Sequence, residues 1–181
     1  MHKSIGAIEF RSISKGIEVA DFMVKKSEVE IIFFKMVCPG KFIVIICGNE
    51  DATKEAVNFG IELGENTIVD SFIVNAVHED IIDGLKNKYK KGIQGAYGIM
   101  ETASICSGIK ALDRMLKNAN VSVVKIQTAF LIGGKFVFIV SGEVSDIEDG
   151  MKVAKVAINE NKIVNIAIIP SPDPMIIAML T

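Results

Sequence analysis

One segment of this chain occurs twice. Residues 5–35 recur at 97–127, an offset of 92, and ten of the 31 positions are identical. The identical pairs are Gly6/Gly98, Glu9/Glu101, Ser12/Ser104, Ile13/Ile105, Gly16/Gly108, Ile17/Ile109, Asp21/Asp113, Met23/Met115, Lys25/Lys117 and Val29/Val121. From Gly40 onward the offset is 94, so the second copy has two additional residues in one loop. This repeat predicts two tandem copies of one unit of roughly 90 residues, with the differing loop as the place where function is added.

Each copy has the pattern of a β-α-β-β-α-β unit. In the first copy the predicted elements are a strand at 5–10, a helix at 14–26, strands at 29–37 and 42–47, a helix capped at 49–51 and ending near 63, and a strand at 67–77. This order favours an α/β (α+β) fold with mainly antiparallel sheets and helices on one face. We assign residues 1–85 to the first domain, 86–95 to a solvated linker and 96–181 to the second domain.

Apolar residues at helical spacing predict which side of each helix faces its sheet. The predicted stripes are Ile13, Ile17, Ala20 and Val24 in the first helix, Ala52, Ala56, Phe59 and Leu63 in the second, and Ile105, Ile109, Leu112 and Leu116 in the second copy. We expect the repeated helix to use the same face in both copies.

Composition excludes several classes of function. Half of the 181 residues are hydrophobic and the mean hydropathy is +0.40, yet no apolar run approaches the roughly 18 residues that span a membrane. The surplus apolar surface indicates domain pairing and oligomer interfaces. A net charge of −2 with mixed signs argues against nucleic-acid binding. Three cysteines without a CxxC motif, and no signal-peptide pattern, favour a reducing cytoplasm.

The loop that differs between the copies carries a cysteine only in the first copy. Cys38 precedes Pro39 and Gly40 between two predicted strands, which places its thiol near the tip of a hairpin, where it is poorly buried. One thiolate cannot hold a metal cluster, and a lone cysteine is more often a packing residue. We expect Cys47 and Cys106 to have packing roles. No catalytic constellation is evident, so we expect a protein that is not an enzyme.

Several stretches closely resemble the signatures of bacterial microcompartment shell proteins. They are residues 5–9, 16–25, 98–102, 113–117 and 119–121. The resemblance covers essentially the whole chain and identifies it as a tandem-domain member of the family. It implies a cytoplasmic location in a microcompartment shell and a homotrimer that mimics a hexagonal tile, with six domains around a central pore. Other shell proteins would be its partners, with neither nucleic acid nor membrane among them.

Residues 36–42 look like the pore loop of a propanediol-utilisation subgroup of that family. The resemblance implies one [4Fe–4S] cluster per trimer, ligated by Cys38 of three chains, for electron transfer or cluster transport across the shell. An encapsulated or cytosolic redox enzyme would then be a further partner. The residues expected to line the pore are Val37, Pro39, Gly40, Lys41, Phe130, Leu131, Ile132, Gly133 and Gly134.

The resemblance also assigns Lys25 and Lys117 to the edge between tiles. The family's usual Pro-Arg-Pro-His closing motif is replaced here by residues 170–173 and 76–79, neither of which contains arginine. Two other functions stay open. One is a trimeric small-molecule sensor or metabolite pore without a cluster, and the other is a redox enzyme that uses an open iron of the cluster.

Overall fold

The computed structural model describes residues 4–89, 95–128 and 135–180, which form eight strands and six α-helices. The strands are β1 (Ser4–Phe10), β2 (Val29–Val37), β3 (Lys41–Gly48), β4 (Ile68–Val74), β5 (Ala96–Thr102), β6 (Ser122–Thr128), β7 (Phe136–Gly142) and β8 (Ile163–Ile169). The helices are α1 (Ile13–Lys26), α2 (Glu50–Gly64), α3 (Glu79–Leu85), α4 (Ile105–Leu116), α5 (Val144–Val156) and α6 (Pro174–Leu180). The predicted β-α-β-β-α-β order is confirmed in both copies, and a short helix follows each.

The two sheets have the same topology. Their strand orders are β2-β3-β1-β4 and β6-β7-β5-β8, and all pairs are antiparallel. Ser4 lies opposite Gly48 in the first sheet, and Ala96 lies opposite Gly142 in the second. These pairs preserve the offsets of 92 and 94 seen in the sequence. The two additional residues of the second copy therefore fall between β6 and β7.

Helix α1 faces the sheet through a stripe that differs from the predicted one. Its buried residues are Gly16, Val19, Ala20 and Met23, while Ile17 is 39% exposed. A Cβ on Gly16 would lie 2.5 Å from Phe42 Cδ1, so the missing side chain lets the helix approach the sheet closely. The predicted stripe lies one position away from the buried one, because the closest contact is made by a glycine, which a pattern of apolar residues does not include.

Helix α2 shows the same displacement for the same reason. It buries Thr53, Ala56, Val57, Gly60 and Gly64. A Cβ on Gly60 would lie 2.7 Å from Met23 Sδ, so glycine brings α2 close to α1. In α4 the predicted residues Ile105, Ile109 and Leu112 are fully buried, but this helix too approaches its sheet through a glycine, since a Cβ on Gly108 would lie 2.1 Å from Phe136 Cδ1.

Side-chain caps set the beginnings of these helices. Asn49 Oδ1 accepts a hydrogen bond from the Ala52 N–H at 2.8 Å, as the predicted cap at 49–51 requires. Helix α1 begins earlier than predicted, since Ser12 rather than Ser14 accepts from the Lys15 N–H. The last strand of the first copy is shorter than predicted at both ends, because Thr67 belongs to a 3-10 turn at Glu65–Thr67 and the chain turns after Val74, where Ala76 has a φ of +48°.

The described residues form two compact units, one ending at Val77 and the other beginning at His78. Helix α3 ends the first repeat in sequence, but it belongs to the second unit and packs there against β6 and α4. The longest described helix, α2, has 15 residues, and none in the described ranges could cross a membrane.

Candidate functional site

Cys38 occupies the turn between β2 and β3. Cys38, Pro39 and Gly40 are all exposed, whereas Val37 at the end of β2 is buried. Gly40 has a φ of +73°, in the region that favours glycine, and a Cβ at this position would have no atom within 4 Å. The hairpin therefore ends in a tip with little side-chain bulk, and the Cys38 thiol is exposed there.

The other two thiols are placed differently. Cys47 in β3 is 3% exposed and Cys106 in α4 is 1% exposed. All three cysteines are free of disulfides. Within 4–89, 95–128 and 135–180 of one chain, no three His, Cys, Asp or Glu side chains come together as a possible metal site. Cys38 is the cysteine of the three that solvent, a metal or another chain can reach.

A buried carboxylate lies near the base of this hairpin. Glu9 in β1 has no exposed surface, and its Oε1 accepts a hydrogen bond from Lys41 Nζ at 3.2 Å. The second copy repeats the pair, with Lys135 Nζ 2.7 Å from Glu101 Oε1, in a more exposed setting. Lys41, predicted to line a pore, is thus engaged with the sheet. The recurrence of glutamate and lysine at matching offsets could have revealed this pair from the sequence.

The two lysines assigned to the tile edge are held in the same way in both copies. Lys25 Nζ lies 2.6 Å from Asp21 Oδ2, and Lys117 Nζ lies 2.6 Å from Asp113 Oδ2. The Lys25 side chain is 68% exposed and that of Lys117 is 31% exposed. An i, i+4 ion pair orients each lysine along its helix. The predicted role at a tile edge stays a prediction.

The second predicted pore segment, Phe130–Gly134, lies outside the described residues. The structure therefore places Cys38, Pro39 and Gly40 together at one exposed tip, with Val37 and Lys41 at its base. Lys25 lies on α1 in the first unit, and Lys117 directly follows α4 in the second unit.

Residues 78–89 form a contact surface within the second unit. This contact was not predicted from the sequence, because residues 86–95 were assigned to a solvated linker. A Cβ on Gly84 would lie 2.5 Å from Ile126 Cδ1, so α3 approaches β6 closely. The Tyr89 hydroxyl lies 3.0 Å from the carbonyl oxygens of Gly84 and Ile126, to which it can donate, and accepts from the Ile126 N–H. Burial raises the pKa of Tyr89. In the sequence, Gly84 and Tyr89 are the two residues that could have indicated this packing.

The N-terminal end of α3 is tied to α4. The backbone N–H of His78 donates to Asp113 Oδ1 at 3.0 Å, and Asp113 is almost fully buried. Asp113 therefore links two partners, because its other oxygen binds Lys117. The equivalent residue of the first copy, Asp21, is exposed.

Comparisons with known proteins agree with this architecture. The BMC domain family matches residues 4–77 and 96–172. The bacterial microcompartment shell protein PduT of Citrobacter freundii is 35% identical over 173 residues, covering 95% of this chain and 94% of that protein. A solved microcompartment protein from Desulfitobacterium hafniense DCB is 34% identical and superimposes with a TM-score of 0.87, covering 97% of this chain and 98% of the other.

A shorter relative matches about one repeat. The carboxysome shell protein CcmK3 of Synechocystis is 34% identical over 89 residues, which is 47% of this chain and 84% of that protein. The internal repeat, the paired sheets and these matches have one explanation: the chain belongs to the BMC-domain family of bacterial microcompartment shell proteins.

Proposed function

We propose that three copies of this shell protein form a pseudohexagonal tile in which the Cys38 hairpins surround a central pore and hold one [4Fe–4S] cluster. The observation that carries the proposal is the exposed thiol at the tip of a hairpin whose counterpart in the second repeat has no cysteine. Threefold symmetry would bring three such thiols together, which one chain does not do.

The residues at this tip fit a cluster. Thiolates are the usual ligands of iron–sulfur clusters, and three of them match three irons of a cube, with one iron left for water, an anion or a partner's ligand. Gly40 has no side chain, and a Cβ at this position would have no atom within 4 Å, so the space beside the tip is open within the chain. Cys47 and Cys106 are too buried to act as ligands without rearrangement of the fold.

The chain's own contribution is to present and hold the thiolates. The ladder between β2 and β3 runs to the Val37–Lys41 pair, and the Glu9–Lys41 ion pair fixes the base of the hairpin. When bound, the cluster would supply one-electron transfer, or would be cargo moved across the shell. The expected partners are other shell proteins and a redox enzyme on one side of the shell.

The test is iron and acid-labile sulfide per trimer after anaerobic reconstitution of the parent, Cys38→Ser, Cys47→Ser and Cys106→Ser. We expect about four irons per trimer in the parent and in the two controls, and loss of iron in Cys38→Ser, since serine oxygen is a poorer iron ligand than thiolate. Light scattering must give a trimer in every variant. A parent trimer without iron would favour a metabolite pore without a cluster, and equal iron in Cys38→Ser and the parent would exclude Cys38 as the ligand.

A further inference from the structure

The internal repeat relates α3 to α6. Glu79–Leu85 and Pro174–Leu180 are both seven-residue helices at an offset of 95. They begin with equivalent caps, because His78 Nδ1 accepts from the Asp80 N–H and Asp173 Oδ1 accepts from the Met175 N–H. The two helices are therefore counterparts, and their surroundings can be compared residue by residue.

One side of α3 is buried, whereas the same side of α6 is bare. Asp80 and Ile81 of α3 are 8% and 0% exposed, and Gly84 packs on Ile126. The counterparts in α6 are Met175, Ile176 and Met179, which are 75%, 47% and 81% exposed. The opposite side of α6 is already occupied, since Ile177 and Leu180 pack on the cluster of Tyr97, Val124 and Ile139.

The first unit has a bare surface that matches the one covered by α3. In the second unit, Ile109, Val123 and Ile126 are at most 6% exposed. Their counterparts in the first unit are Ile17, Ile31 and Phe34, which are 39%, 41% and 44% exposed. Met36, two residues beyond Phe34 in β2, is 62% exposed and extends this apolar surface along the strand. One chain thus carries a bare helix face and a bare receiving surface, which the repeat relates to each other.

We infer that the bare side of α6 packs on the α1 and β2 surface of a second copy, as α3 packs on α4 and β6 within one chain. The two surfaces differ, so the contact is head-to-tail and can close into a ring. Polar groups match as well. Asp21 is the counterpart of Asp113, which accepts from the His78 N–H, so Asp21 would accept from the Asp173 N–H of the neighbouring copy.

This contact would not be identical to the internal one. Met179 replaces Gly84, and Phe34 replaces Ile126, so both sides present larger side chains. Methionine adapts its shape readily and makes favourable contacts between sulfur and aromatic rings. The spacing between copies would therefore be wider than the spacing between α3 and β6. The inference rests on the proposed trimer and specifies which residues close it.

Disulfide trapping tests the pairing directly. In a Cys38→Ser background, Phe34→Cys combined with Met179→Cys should give covalent dimers and trimers under mild oxidation. Neither single variant should form such links. Phe34→Cys combined with Val156→Cys is the matched control: Val156 is 89% exposed and its counterpart Glu62 is exposed too, so this position makes no equivalent contact and should not be linked. A link confined to one chain, or no link in a protein whose mass is that of a trimer, would refute the pairing and leave the trimer standing. A monomeric parent would refute the trimer itself.

Charge exchange supplies a second measurement that does not depend on oxidation. Met179→Lys should weaken association at least about tenfold by placing an unpaired charge in the contact, and adding Phe34→Glu should recover most of that loss. Both positions are exposed in the single chain, so folding should be preserved. Failure of the second substitution to recover association would contradict the proposed contact.

Discussion

Replacing Lys41 by methionine would leave the buried Glu9 carboxylate without its lysine. Glu9 is fully buried and the Lys41 side chain is 20% exposed, so this pair is shielded from water. Removal of one partner from a buried pair typically costs 3–5 kcal/mol, whereas removal from an exposed pair costs about 0.5 kcal/mol. Glu9 has a further polar contact, and Lys41 retains some exposure, so we expect a loss of about 2 to 3 kcal/mol. Methionine keeps the apolar stem of lysine, so the change is mainly one of charge.

The second repeat provides the matched control. Lys135→Met breaks the same pair where the two side chains are 41% and 30% exposed, and should cost about 0.5 kcal/mol. Urea unfolding at one protein concentration measures both losses, and the larger one corresponds to a decrease in melting temperature of roughly 4 to 12 °C. Equal losses in the two variants would refute the reasoning.

Three further changes test other parts of the structure. Gly60→Ala should destabilise the first unit by about 1–3 kcal/mol, because its Cβ would lie 2.6 Å from Ile8 Cδ1, while Lys54→Ala in the same helix should be nearly neutral in thermal unfolding. Tyr89→Phe should lower the free energy of unfolding by about 1 to 2 kcal/mol, since the Ile126 N–H loses its acceptor. It should also increase amide hydrogen exchange in α3, and unchanged exchange would contradict this contact. Lys25→Glu, at the more exposed of the two lysines, should leave the trimer mass unchanged and abolish two-dimensional sheets in electron micrographs; normal sheets would contradict a role for Lys25 at the tile edge.

Local features of the fold were predictable because their signals lie close together in the chain. The internal repeat indicated that both copies have the same order of elements, and Pro39 with Gly40 indicated the hairpin. Family membership confirms the prediction of a structural, non-enzymatic shell protein. The helix stripes were wrong by one position in α1 and α2, where Gly16 and Gly60 carry the closest contacts without any hydrophobic signal.

Contacts between distant segments were harder to predict. Nothing local in residues 79–85 indicates that α3 packs with the second unit rather than the first, because that choice depends on its fit to Ile126 and Asp113. The exposure of Phe34 and Met179 could not be predicted from the sequence either, since hydrophobicity alone does not distinguish a core residue from one on an apolar surface. Only comparison of the two repeats in three dimensions separates them.

Native mass spectrometry of anaerobically reconstituted protein tests the central proposal most directly. Three chains of 19.6 kDa should appear as one species of about 59 kDa, with the additional mass of four irons and four sulfides. Cys38→Ser should give the same trimer without that additional mass. A monomeric parent would contradict the tile, and a parent trimer without additional mass, or with the same additional mass as its Cys38→Ser variant, would contradict the cluster site.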